Sequence, residues 1–239
     1  MKPLLIIVFL IILSCQAGPR DLRDYYFPVR ELTTGQVYVY ADMEQPDKAP
    51  SHWYYLGNEL EEGLYLSATA YTPAFEPYQQ LTEHVYNDGV VLEHISFDFP
   101  DSTGKSRMVD AEILAGNVFP FYLEEDNPAY VSDLQFDIPE PPGGRQLVTF
   151  NRQYLRDTTL SVLDKERDAI VFNMVAEYYV EDDTQGGLPT KIEGYEIYAF
   201  GLGLVETYRE TSSGVVLVNE KLVKRISMQE LIEKASIVQ

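Results

Sequence analysis

The feature that most constrains this chain is a recurring short run of β-branched and aromatic residues, broken by turn-forming residues. Gln36-Val37-Tyr38-Val39-Tyr40, His52 to Leu56 and Leu64 to Tyr71 are such runs. Leu81 to Tyr86 and Val90 to Phe97 flank Asn87-Asp88-Gly89, the strongest hairpin signal in the chain. The pattern continues through Arg107 to Leu114, Gln146 to Leu155, Thr158 to Leu163, Ala169 to Val180, Ile192 to Phe200, Leu204 to Thr211 and Val215 to Ile226. Ser212-Ser213-Gly214 reads as the turn joining the last two. About a dozen closely spaced strands predict an all-β, antiparallel domain. A curved sheet, an open barrel and a sandwich all fit this pattern.

Helical periodicity enters only at the end. Ser227-Met228-Gln229-Glu230 has capping-box spacing and predicts a short C-terminal helix with Leu231 and Ile232 on one face. The stretch from Asn117 to Gly144 carries Pro120, Pro128, Pro139, Pro141 and Pro142, with Glu124-Glu125-Asp126 and Gly143-Gly144. It reads as a long irregular excursion, a seam between two halves of the sheet or a cover for an open edge. The packed domain is expected from Tyr25 to Ile226, with the C-terminal helix carrying it to residue 239.

Acidic residues outnumber basic ones 38 to 18, a formal net charge of −20. A nucleic-acid partner needs a basic face to displace counterions, so none is expected. One cysteine in 239 residues rules out an internal disulfide framework and any cysteine-based zinc cluster.

That cysteine has a telling position. Lys2 precedes an unbroken apolar run from Leu4 to Leu13, too short to span a bilayer but the length of a signal-peptide core. The Ile12-Leu13-Ser14-Cys15 sequence that ends it resembles the bacterial lipobox. The resemblance implies a signal peptide over residues 1–14 and lipidation of Cys15, the new N-terminus, with diacylglycerol on sulfur and an acyl (palmitate-class) chain on nitrogen. Three chains make such an anchor effectively permanent. Gln16 follows the cysteine, where aspartate would imply inner-membrane retention. The expected address is therefore the outer membrane. Cys15-Gln16-Ala17-Gly18-Pro19-Arg20 has no acidic run of the kind that marks surface export, so a periplasm-facing position is the default and the leaflet stays open. Residues 15–24 read as a lipidated tether.

Two further elements resemble a family of uncharacterised bacterial secreted β-proteins. Tyr26-Phe27-Pro28-Val29, then Gly35, Tyr38 and Tyr40, is similar to an opening Tyr-Phe-Pro-Leu motif followed by a glycine and a two-aromatic strand. Tyr198-Ala199-Phe200-Gly201-Leu202-Gly203-Leu204-Val205 is similar to their Tyr-Ala-x-Gly-x-Gly-Leu-Val element. Val29 stands for leucine and Tyr38 for the usual tryptophan. The resemblance implies a β-fold and no chemistry. A looser likeness of architecture is to envelope lipoprotein carriers, which wrap a curved sheet around acyl chains.

The candidate chemistry is thin. Gly201-Leu202-Gly203 lacks the third glycine and the following helix of a dinucleotide loop, and reads as a strand kink or bulge. Ser102-Thr103-Gly104-Lys105 matches Ser-x-x-Lys spacing but reads as a polar loop. Among the three histidines, His52, His84 and His94, the last two lie beside Glu83 and Glu93. A two-residue Asp88-Gly89 turn puts His84 and His94 on opposite faces; a three-residue loop with left-handed glycine puts them on one face. Cross-strand Glu–His pairing is favoured over a zinc site. The acidic loops Glu124-Glu125-Asp126-Asn127 and Glu181-Asp182-Asp183 lack calcium-loop spacing and read as solvated charge.

The aromatic clusters Trp53-Tyr54-Tyr55 and Tyr178-Tyr179 are expected to split between core and surface. Tyr38, Tyr40, Tyr65 and Tyr195 are the expected inward rings. No catalytic residue, metal or cofactor is assigned. The reading is a membrane-anchored, non-enzymatic binding module for an envelope protein or glycan. The alternative is a carrier or sensor of an apolar ligand.

Overall fold

The computed structural model describes residues 19–99, 105–139, 144–181 and 189–238. Its strands are β1 (Arg20–Asp21), β2 (Gln36–Asp42), β3 (Ser51–Leu60), β4 (Gly63–Tyr71), β5 (Pro77–Val85), β6 (Gly89–Asp98), β7 (Met108–Asp110) and β8 (Glu112–Pro120). They continue as β9 (Tyr122–Leu123), β10 (Tyr130–Ile138), β11 (Gly144–Val162), β12 (Lys165–Glu181), β13 (Thr190–Ala199), β14 (Gly203–Thr211) and β15 (Val216–Ile226). One helix, α1 (Met228–Val238), follows.

The sheet closes. Each strand from β2 to β6, then β8 and β10 to β15, pairs antiparallel with its chain neighbour, and β15 returns to pair with β2. The result is a 12-strand meander barrel. The short β7 extends the β6 edge beyond β8, and β1 pairs with β9 in a small separate sheet. Closure removes the exposed edges that an open sheet of this length would present.

Twelve strands enclose a wide interior, so large side chains and an additional segment are needed to fill it. Tyr38, Tyr40, Tyr55, Leu66, Phe119, Phe172, Tyr198 and Leu222 point inward. The N-terminal segment supplies the rest. After β1 the chain crosses one end of the barrel through two 3-10 turns, Arg23–Tyr25 and Val29–Glu31, and buries Leu22, Tyr26, Phe27, Val29 and Leu32 in the same cluster. Packed chain thus begins at Arg20, inside the stretch expected as tether.

The outer wall carries exposed Glu93, Asn117, Asn173, Glu177, Lys191 and Glu193, a face unlike the apolar band of a membrane-spanning barrel. Outward Val37 and Val39 are covered by α1, which packs Leu231 against them. The capping box forms: Glu230 N donates to Ser227 Oγ at 3.1 Å and Ser227 N to Glu230 Oε2 at 3.0 Å. Leu231 is buried but Ile232 is 55% exposed. Adjacent helical residues diverge by about 100°, so only one of the two faces the wall.

The Asn117-to-Gly144 seam is corrected. Its described residues include the end of β8, then β9 and β10, which pairs with both β8 and β11. The runs expected at Gln146 to Leu155 and Thr158 to Leu163 are one 19-residue strand, with a bulge between Tyr154 and Arg156.

Candidate functional site

Inward positions on four strands bring charges together inside the barrel. Glu196 on β13 is 2% exposed. It accepts Arg152 Nε of β11 at 2.9 Å, Arg209 Nη2 of β14 at 3.1 Å and the Tyr198 hydroxyl at 3.0 Å. Burial alone would raise this carboxyl, but the two guanidinium groups overcome it and hold it at about 2. Glu83 on β5 is also buried and accepts a hydrogen bond from the Tyr26 hydroxyl of the N-terminal segment, residues 22–32, which plugs one end of the barrel. Here burial wins and pushes the carboxyl up, with Tyr26 and Arg152 offsetting only part of the effect. One acid is thus held ionised and the other is driven toward its neutral form. Both are engaged by protein groups, so the cluster braces the interior and ties the plug to the wall.

The plugged end is bounded by a groove of about 380 Å³, lined by Tyr26, Phe27, Pro28, Leu64, Val85, Phe121 and Phe200, with Arg23 and Arg30 among its charged neighbours. The Arg23 guanidinium sits 5.2 Å from the Phe121 ring centre and donates to Asn87 O and the Tyr122 hydroxyl. The two motifs resembling secreted β-proteins meet here. Tyr38 and Tyr40 donate to the carbonyls of Leu202 and Leu204 at 3.0 and 2.9 Å, and Gly201 N donates to Asp24 O at 2.8 Å. The Gly201-Leu202-Gly203 kink is the β13–β14 hairpin turn, with φ of 69° and 87° at the two glycines.

The histidines follow neither expected register. Val85 pairs with Val90 and Tyr86 N donates to Gly89 O, so the loop is Asn87-Asp88. Gly89 is required by close approach: a Cβ there would lie 2.8 Å from Phe119 O. A bulge between Thr82 and Glu83 then brings His84 and His94 onto the same outer wall. Each takes its own carboxylate, His84 Nδ1 with Glu93 at 2.9 Å and His94 Nε2 with Asp110 at 3.2 Å. His84 also stacks between Tyr65 and Tyr86. His52 is buried beside Phe75, and desolvation lowers its imidazole. Among the described residues no group of three histidine, cysteine or acidic side chains is placed to hold a metal ion.

Trp53 and Tyr55 face the core while Tyr54 faces α1, and Tyr178 and Tyr179 split likewise. Tyr65 and Tyr195 are corrected to the outer wall, where Tyr65 packs on His84 and Tyr195 stacks on Tyr208 at 5.4 Å. Cys15, Ser102 to Gly104 and Asp182-Asp183 lie outside the described residues. Glu83, Arg152, Glu196 and Arg209 were not singled out from sequence. Their signal was a charged residue at the inward parity of a strand, readable only once register is known.

No protein-family model matches the chain. No curated protein matches it either. Among solved structures, a candidate lipoprotein from Parabacteroides distasonis ATCC 8503 shares the fold. It aligns at 13% identity and TM-score 0.55, covering 84% of this chain and 98% of that one. A candidate exported protein with a YmcC-like fold from Bacteroides fragilis NCTC 9343 aligns at 12% identity and TM-score 0.42, over 81% of this chain and 96% of that one. The first likeness is one of fold.

Proposed function

We propose that this chain is a bacterial envelope lipoprotein, processed before Cys15, acylated there and held at the outer membrane facing the periplasm. Its barrel acts as a non-enzymatic binding module for an envelope protein or glycan. The lipobox supports the anchor, and the P. distasonis fold neighbour, a candidate lipoprotein, is consistent with an envelope address. The observation that carries the module over the carrier is the filled interior. Phe119 packs against Tyr26, Phe172 and Tyr198 at 5.0 to 5.4 Å between ring centres. The Glu196 ion cluster crosses the same space, where an acyl chain would have to lie.

Solvent extraction of the purified protein, followed by mass spectrometry, separates the readings. The module releases no stoichiometric non-covalent lipid, whereas about one released lipid per chain would promote the carrier. The anchor has its own test. Cys15→Ala should leave the membrane pellet and stop incorporating labelled fatty acid; a variant that does neither sinks it.

A further inference from the structure

Four side chains project from the plugged end on separate connections. Leu60 ends β3, Tyr86 lies in the β5–β6 hairpin, Tyr122 between β8 and β10, and Phe200 in the β13–β14 turn; they are 57, 44, 36 and 47% exposed. The N-terminal segment ties these connections together. Leu22 N donates to Phe121 O, Gly201 N to Asp24 O and Arg23 to Asn87 O, so the exposed groups stand on a braced platform.

The chain outside the structure ends at this face. Arg20 follows Cys15 by five residues, a span of at most about 18 Å when fully extended. The 11-residue β15, which runs between this end and the Val215 turn, is about 36 Å long, or roughly 27 Å of barrel height at an ordinary strand tilt. The rim at Val215, exposed at the opposite end with Met43, lies beyond the tether's reach while the barrel stands upright. Lying on its side would press charged wall residues such as Glu177 and Glu193 onto the membrane. Tyrosine and phenylalanine at the hairpin tips suit the head-group layer, where an apolar ring and a polar tip are both accommodated. Exposed Glu61, Glu62 and Asp88 share this end with exposed Arg23 and Arg30, a mixed-charge face that suits a zwitterionic surface.

We infer that the plugged end seats on a zwitterionic bilayer surface, with Leu60, Tyr86, Tyr122 and Phe200 in the head-group layer, so that the barrel stands end-on with its opposite mouth away from the membrane. This rests on the reading that Cys15 is acylated.

The single cysteine provides the test. Acylated wild-type protein has no free thiol, so Leu60→Cys, Phe200→Cys, Met43→Cys and Val215→Cys each take one environment-sensitive fluorophore. The labelled full-length proteins are reconstituted in phosphatidylcholine vesicles containing a phospholipid with a head-group nitroxide. Labels at positions 60 and 200 should shift to shorter wavelength and be quenched, and those at 43 and 215 should do neither. Equal quenching at both ends overturns the orientation. A shift at 60 and 200 without quenching also overturns it, because a protein rather than lipid then covers that face. Labelling of the wild-type protein would mean that Cys15 is not acylated; the anchor then fails, and the orientation with it.

Discussion

The ring of Phe27 occupies the space that a β-carbon on Gly203 would need: an ideal Cβ there lies 2.5 Å from Phe27 Cδ1. Gly203 also has φ of 87°, a conformation costly for other residues. Two sequence elements far apart in the chain therefore fit as lock and stop, the plug ring against the floor of the β13–β14 turn. Gly203→Ala should cost about 2–4 kcal/mol, from overpacking and left-handed strain together. Phe27→Ala in the same chain should relieve the overpacking part, so the double variant costs less than the sum of the two single variants. Urea melts of the four proteins measure this; strict additivity would mean that the ring does not press on that position.

The strand pattern was legible because a wall with one face inward writes period two into the sequence, as at Leu64 to Tyr71, where Leu66, Ala68 and Ala70 are buried and their neighbours are not. The hairpin at Asn87-Asp88-Gly89 was legible for its turn chemistry. Closure was not, since pairing of β15 with β2 joins residues such as Lys221 and Ala41 from opposite ends of the domain and leaves no local mark. The inward or outward sense of Tyr65 and Tyr195 was lost for a related reason: one bulge or a one-residue slip exchanges the faces. The plug was missed because Leu22 to Leu32 has neither helical nor strand periodicity, and its order comes from the wall it meets. The Glu196 cluster was hidden in register; each member alone reads as an ordinary strand charge.

Glu196 should make the protein sensitive to acid. Its folded carboxyl sits at about 2 against an ordinary 4.5, so the unfolded chain binds the proton first as pH falls. The stabilisation is present above about pH 4.5 and is lost as pH drops toward 2. Glu196→Gln removes this dependence and leaves Arg152 and Arg209 without their counter-charge, at a cost of about 3–5 kcal/mol near neutrality. Melts from pH 7 down to 2 should show the two proteins converging. Parallel curves would mean that the ion cluster does not contribute.

Glu83 should act in the opposite sense. Burial raises its carboxyl above 4.5, so between 4.5 and the folded value the unfolded chain releases a proton that the folded one keeps. Stability then falls as pH rises through that window. Glu83→Gln keeps an acceptor for the Tyr26 hydroxyl and has nothing to ionise. Its melting temperature relative to wild type should be higher at pH 7 than at pH 4. A difference that is constant with pH would place the titrating group elsewhere.

The closing helix offers a control inside one turn. Leu231 is 3% exposed and packs with Val37, Val39 and Ile226, whereas Ile232 is 55% exposed. If α1 is held by that one contact stripe, truncating the two neighbours should differ sharply despite their similar size. Leu231→Ala should cost about 2–5 kcal/mol through lost burial and the cavity it leaves. Ile232→Ala should stay within about 0.5 kcal/mol, as for other exposed positions. His52 adds a local reporter, because its buried ring lies close enough to Lys234 of α1 to feel its charge. Detaching the helix should expose that ring and let its NMR titration move up toward the ordinary imidazole range in Leu231→Ala but not in Ile232→Ala. Equal melting temperatures and an unmoved His52 titration in both variants would show that the outer face of β2 is sealed by something other than Leu231.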